Sequence, residues 1–215
     1  MKRDDHIVFV VDDDARVREA LGELFASHGI RSVLFASAGD YIAAKKPDVA
    51  ACLLLDVELP DINGLDLQGQ IAEGNHPPIV FLTGYGDIPT SVRAIKHGAV
   101  DFLTKPCDEA DLLAAIHAAI DHDRETRTRR AALDLLKQRY RELTPREREV
   151  LPLVVSGLLN KQAAAELGIS EVTLQIHRRN VMQKMTAASL ADLVRIAGQL
   201  GIPITHSRQS KGGRT

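Results

Sequence analysis

Four short apolar runs, each ending in a residue suited to phosphate or metal chemistry, constrain this chain more than any other feature. Ile7-Val8-Phe9-Val10-Val11 runs into Asp12, Asp13 and Asp14, and Cys52-Leu53-Leu54-Leu55 runs into Asp56. Ile79-Val80-Phe81-Leu82 ends at Thr83, and Asp101-Phe102-Leu103-Thr104 ends at Lys105-Pro106. Short apolar runs bounded by turn residues read as strands buried on both faces, as in a parallel sheet. The carboxyl ends of such strands share one edge, where ligands bind. Acids from two strands, a hydroxyl from a third and an ammonium from a fourth are thus expected in one crevice. Singly, each has an ordinary explanation, because acids at strand ends often cap helices and Lys-Pro often marks a turn. Together on one edge they describe a site.

Helical and extended segments alternate around these runs. Val17, Leu21, Leu24 and Phe25 fall at helical spacing before Gly29; 31–35 reads as a strand and 38–45 as a short helix. The central strand is 51–55. Pro60 and Gly64 lead into a helix at about 64–73, followed by a strand at 79–82. A helix at 91–97 closed by Gly98, a short strand at 101–103 and a helix at 109–120 complete a five-fold βα repeat. The expected fold is a small doubly wound α/β domain with a five-stranded parallel sheet, flavodoxin-like in type.

Between Cys107 and Thr144 there is neither Gly nor Pro. An apolar stripe at Leu112, Leu113, Ile116, Ala119 and Ile120 lapses over 121–130 and resumes at Leu133, Leu136, Tyr140 and Leu143. This reads as one long linker helix packed at both ends, with a hinge in its charged middle as the alternative. The remainder is all-α. Thr144-Pro145-Arg146-Glu147 is a capping box with proline at the first helical position, and Pro152 is expected to kink the helix it opens. Asn160 is read as the cap of a helix at 161–167 ended by Gly168, Ser170 as the cap of one at about 171–185, and 189–200 as the last helix. The pair flanking Gly168-Ile169-Ser170 has the proportions of a helix-turn-helix. The boundaries are 1–122, a linker at 123–142, a four-helix domain at 143–203 and a flexible tail at 204–215.

The formal net charge of −2 hides a division. Residues 1–120 hold 10 Lys+Arg against 19 Asp+Glu, whereas 121–215 hold 17 against 10. An acidic front and a basic back suggest two modules with different partners, the second a polyanion, with a chance asymmetry as the alternative. No apolar stretch approaches the roughly 18 residues of a membrane span, and the N-terminal apolar run is too short for a signal peptide. No membrane association is expected, and the expected location is cytoplasmic. The two cysteines, Cys52 and Cys107, lack metal or redox spacing and read as reduced thiols.

Asp56 is the candidate nucleophile, since a carboxylate can accept a phosphoryl group as an acyl phosphate. Charge on the transferring group must be offset, and Mg²⁺ bound by carboxylates does this. Asp12 and Asp13 would complete the metal site. Clustered carboxylates without a cation are unfavourable, which itself argues for one. Lys105 and Thr83 would each meet a phosphoryl oxygen, and Gly84 leaves room for the group.

Val11-Asp12-Asp13-Asp14, Leu55-Asp56-Val57-Glu58-Leu59-Pro60 with Gly64, Leu82-Thr83-Gly84 and Asp101–Pro106 resemble the receiver domain of bacterial two-component response regulators over about 1–122. The resemblance implies phosphorylation of Asp56 by a sensor histidine kinase, with Mg²⁺ held by Asp13, Asp56 and the Glu58 backbone carbonyl and Asp12 assisting through water. It implies a switch in which Thr83 moves toward the phosphoryl group and Phe102, a tyrosine in many relatives, turns inward. Thr83-Gly84-Tyr85-Gly86-Asp87-Ile88-Pro89 resembles the FixJ-type branch, with Tyr85 and Glu58 flanking the phosphoryl path.

In the back domain, Leu174, Val181 and Met185 share one helical face, leaving Gln175, Arg178, Arg179 and Lys184 on others. Arg and Lys neutralise phosphates, and Arg179 or Gln175 suits guanine or adenine edges in the major groove. Leu143–Glu147, Gly157-Leu158-Leu159-Asn160-Lys161, Leu167–Ser170 and Thr173–Arg178 resemble the LuxR-type DNA-binding domain of the NarL/FixJ family. That resemblance places Gln175, Ile176 and Arg179 toward bases. Thr173, His177, Asn160, Lys161 and Lys184 would lie nearer phosphates or hold the helix in place. It also implies a homodimer when phosphorylated, double-stranded DNA as partner and RNA polymerase as a further one.

The function expected is a phosphorylation-activated transcriptional regulator, an activator and not an enzyme. Two alternatives compete. Asp12-x-Asp14 after a strand resembles the nucleophile motif of haloacid-dehalogenase-type phosphohydrolases, although Arg16 stands where threonine or valine is expected. The other is a DNA-binding regulator controlled without phosphate.

Overall fold

The computed structural model describes residues 6–72, 74, 76–84 and 88–204. The chain divides into two compact units, Met1–Thr128 and Arg129–Thr215. Within the first, β1 (His6–Val11), β2 (Arg31–Phe35), β3 (Ala50–Leu55), β4 (Ile79–Thr83) and β5 (Asp101–Thr104) form one parallel sheet in the order β2-β1-β3-β4-β5. Helices α1 (Ala15–Ser27), α2 (Ala38–Ala43), α3 (Gly64–Ile71), α4 (Ile88–Lys96) and the start of α5 (Glu109–Arg141) alternate with the strands.

Period-two alternation sends side chains to two cores. Val8, Val10, Cys52, Leu54, Val80 and Leu82 meet Leu21 and Phe25 of α1 and Leu112, Ile116 and Ile120 of α5. Ile7, Phe9, Leu53, Leu55 and Phe81 meet Tyr41 of α2, Leu67 of α3 and Ala94 of α4. Every residue of β3 and β4 is buried, as continuous apolar runs require of central strands. The run at 101–104 departs from that expectation. β5 is half-buried because it is an edge strand with one neighbour. Burial pushes the Cys52 thiol far above its ordinary value, so it stays protonated and inert.

Several boundaries move. α3 ends at Ile71, and α4 begins at Ile88, earlier than 91, because a proline in the first helical turn has no backbone bond to lose. Asp123 of α5 is buried, and its Oδ2 accepts the Ala51 N–H at 2.8 Å. β4 pairs with β3 only from Leu53 onward, so this carboxylate takes the place of a missing strand partner.

In the second unit, α6 (Pro145–Val155), α7 (Asn160–Leu167), α8 (Glu171–Lys184) and α9 (Leu190–Gln199) enclose a core of Val150, Leu151, Val154, Leu174, Val181, Met185 and Leu193. Leu136 and Tyr140, late in α5, pack against it. The capping box is formed: Glu147 accepts the Thr144 N–H at 2.8 Å and the Thr144 hydroxyl accepts the Glu147 N–H at 3.3 Å. α6 continues through Pro152 to Val155. Gly168 takes φ +65° at the end of α7, the left-handed conformation that lets the chain turn into Ser170, the cap of α8. Asn160 is not a cap. It is the first residue of α7, where Gln162 Oε1 instead accepts the Leu159 N–H at 2.9 Å.

Candidate functional site: an acidic crevice and an exposed helix face

Strand register alone brings the crevice together. Val11 pairs with Leu55, so Asp12 and Asp56 follow side by side. Leu55 pairs with Phe81, and Thr83 pairs with Thr104, one residue before Lys105. Asp12 and Asp56 are buried and Asp13 is exposed; one carboxylate oxygen from each lies within 4.8 Å of the others. Lys105 Nζ donates to Asp12 Oδ2 and Asp56 Oδ2, each at 2.6 Å. Burial pulls its ammonium down, but the hydrogen bonds and charges of the two carboxylates outweigh this and hold it above the ordinary lysine value.

The backbone shapes the acids further. Asp56 Oδ1 accepts the Glu58 N–H at 3.1 Å, and Asp12 Oδ1 accepts the Asp14 N–H at 2.9 Å. Arg18 Nη1 donates to the Asp12 carbonyl at 2.7 Å. Gly64 N–H donates to the Val57 carbonyl, folding the loop after Asp56 back on itself. A Cβ at Gly64 would stand 2.3 Å from the Asp56 carbonyl oxygen, so only glycine fits. At Gly84 a Cβ would meet no atom within 4 Å, so packing within the described residues does not itself require glycine there. Thr83 is fully buried at the end of β4. Phe102 stacks obliquely on Phe81, with ring centroids 5.9 Å apart. Asp14 is exposed and caps α1, accepting the Arg16 N–H at 2.8 Å. Tyr85 lies outside the described residues.

This donor set is hard oxygen from closely spaced carboxylates, with one ammonium offsetting the two buried ones. It fits a small hard divalent cation such as Mg²⁺.

On α8, Leu174 and Val181 are fully buried, as is Met185 at its C-terminal cap, whereas Gln175, Ile176 and Arg179 are exposed together. Arg178 Nη1 donates to Asn160 Oδ1 at 3.0 Å, tying α8 to the start of α7. Thr173 serves the cap: its N–H donates to Ser170 Oγ at 3.1 Å. His177 is half-buried, and its Nδ1 has no hydrogen-bond partner among the described residues. Lys161 is exposed.

Of the two roles expected of Lys184, nearer phosphate or holding the helix in place, its contacts supply the second. Its Nζ donates to Glu147 Oε2 at 2.7 Å and to the Glu142 carbonyl at 3.3 Å, so it holds α8 to the start of α6. Burial pushes the Glu147 carboxyl up, but Lys184 and the Thr144 N–H outweigh it and hold it below the ordinary value. Sequence reasoning missed this pair because the partners stand 37 positions apart. The only local sign was an acid at the third position of a capping box.

Residues 8–117 match the family model described as the response regulator receiver domain. This is a response regulator. Residues 141–197 of the response regulator match a second model, bacterial regulatory proteins of the luxR family. It is 50% identical over 206 residues to Nodulation protein W of Bradyrhizobium diazoefficiens, covering 95% of this chain and 91% of that protein. It is 42% identical over 196 residues to Transcriptional regulatory protein FixJ of Azorhizobium caulinodans, covering 91% and 93% respectively. The solved structure of response regulator StyR matches with a TM-score of 0.80 and 45% identity, over 90% of this chain and 98% of that one. The response regulator is of the NarL/FixJ type, a phosphorylation-regulated transcription regulator of a two-component system. Among its described residues, no helix is long and apolar enough to cross a membrane.

Proposed function

We propose that Asp56 is the phosphoacceptor and that its acyl phosphate controls DNA binding through α8. The observation that carries this is the Lys105 ammonium, 2.6 Å from both Asp56 and Asp12 at the meeting point of four strand ends. One Asp56 carboxylate oxygen forms a bond to phosphorus while the phosphorus–nitrogen bond of a sensor kinase's phosphohistidine breaks, the imidazole leaving. Lys105 is placed to follow the negative charge onto a phosphoryl oxygen, and the Glu58 N–H holds the carboxylate in orientation. Thr83 turns its hydroxyl to the phosphoryl group, and Phe102 repacks against Phe81. Asp12, Asp13 and Asp56, with the Glu58 carbonyl, would hold Mg²⁺, which when bound offsets phosphoryl charge.

In the second unit Gln175, Ile176 and Arg179 face the bases. Asn160, Arg178, Thr173 and His177 fix the helix, and Lys161 lies toward phosphate. Residues 123–142 act as the linker between the modules. The phosphorylated chain dimerises to meet paired half-sites and acts as a cytoplasmic activator that engages RNA polymerase. Asp14 is taken up in capping α1, which favours this reading over a hydrolase built on Asp12-x-Asp14.

Acetyl phosphate with Mg²⁺ should label the wild type, and Asp56→Asn should remain unlabelled; labelling that persists, or that maps to Asp12, refutes the assignment. Equal DNA affinity with and without beryllofluoride would favour control without phosphate.

A further inference from the structure

Two branched apolar side chains stand in solvent on the face of α8 that carries Gln175 and Arg179. Val172 is 68% exposed and Ile176 56% exposed. At about 100° per residue, Val172, Gln175, Ile176 and Arg179 fall within an arc of roughly 100°, opposite the buried Leu174, Val181 and Met185. Val172 and Ile176 are i and i+4, so their side chains adjoin and form one apolar spot. An exposed β-branched residue in a helix gains nothing from propensity, and packing inside this unit makes little use of either side chain.

Position within the helix limits what Val172 can meet. It lies in the first turn after the Ser170 cap, and the first turns of a recognition helix approach base edges in the major groove. Valine has no donor or acceptor, so it matches neither a phosphate oxygen nor the amide and carbonyl edges of the bases. The major-groove group it does match is the thymine 5-methyl. Lodged against any other base edge, it would desolvate a polar atom without replacing its hydrogen bond. Gln175 and Arg179, on the same arc, carry the chemistry for adenine and guanine edges.

We propose that Val172 is a specificity-determining residue that, with Ile176, reads thymine 5-methyl groups, so that each half-site requires thymine where this spot lands. This rests on the reading of α8 as the base-contacting helix.

The test uses the full chain, activated with beryllofluoride and Mg²⁺, to select duplexes from a random library. In the best duplex each thymine is then replaced singly by uracil, which lacks only the methyl. Wild type should lose about fourfold in affinity at one or more thymines per half-site, the factor to which about 0.8 kcal/mol for a methyl-sized group corresponds. Val172→Ser, at an exposed position and checked by its unchanged melting curve, should lose that sensitivity at one of these positions, giving a non-zero double-mutant cycle. Uracil tolerated everywhere, or an equal loss in Val172→Ser, overturns the proposal while leaving DNA binding intact. Failure to enrich any duplex overturns the DNA reading of α8 beneath it, and is recognised because no site exists to scan.

Discussion

Replacing Lys184 by methionine separates a structural ion pair from a DNA contact. Nζ lies 2.7 Å from Glu147 Oε2, whose side chain is 3% exposed, while the Lys184 side chain is 34% exposed. A hydrogen bond to a charged group contributes about 1.5–3 kcal/mol. Water reaches the lysine side, so a loss of about 2 kcal/mol is expected, toward the lower part of that range. Glu147 would keep the Thr144 N–H, which limits the damage. Native-state hydrogen exchange is the suitable assay, because it reports the opening free energy of α6 and α8 separately from the first unit. The amides of Val150 and Val181 should lose about 2 kcal/mol of protection in Lys184→Met. The slope of log K against log salt for DNA should stay unchanged, whereas loss of a phosphate contact would reduce its magnitude by about 0.9. A slope reduced by about one unit with protection intact would refute the structural role. The pH dependence has a definite sign. Glu147 is held below its ordinary value of 4.5, so its contribution is complete above that pH and is lost as pH falls through the lower folded value. In Lys184→Met the loss should begin at higher pH.

Three further outcomes follow from particular contacts. Gly64→Ala would drive a methyl against the Asp56 carbonyl and should cost about 2–3 kcal/mol by urea denaturation, together with slower labelling of Asp56; unchanged stability would mean that the loop yields freely. Asp123→Ala strands the buried Ala51 N–H and should cost about 1–3 kcal/mol, with faster exchange of that amide as its local signature. Arg179→Ala should flatten the base preference in a mutated-site binding series, while a uniform loss across all sequences would instead make Arg179 a phosphate contact.

The acidic crevice was legible because its geometry follows from strand ends. Once 7–11, 52–55, 79–82 and 101–104 are parallel strands, Asp12, Asp56, Thr83 and Lys105 must share an edge, whatever the intervening loops do. The buried face of α8 was legible for a similar reason, since Leu174, Val181 and Met185 repeat at helical spacing. Polar side chains obey no such period. Asn160 sits where a cap is expected, yet its side-chain Oδ1 accepts from Arg178 and the helix starts one residue earlier than read. Asp61, in the loop after β3, accepts the Gly39 N–H at 2.9 Å and so ties that loop to α2.

The amino-acid order by itself determined the layers, the strand ends and the two modules, because hydrophobic periodicity states which face of each element avoids water. Tertiary structure alone decided the partners of the charged side chains: Lys184 with Glu147, Asp123 with the Ala51 amide, and Lys105 bridging two aspartates. A charge removed from water must find its complement within about 3 Å, and which complement arrives there depends on the path of the whole chain rather than on neighbours in sequence.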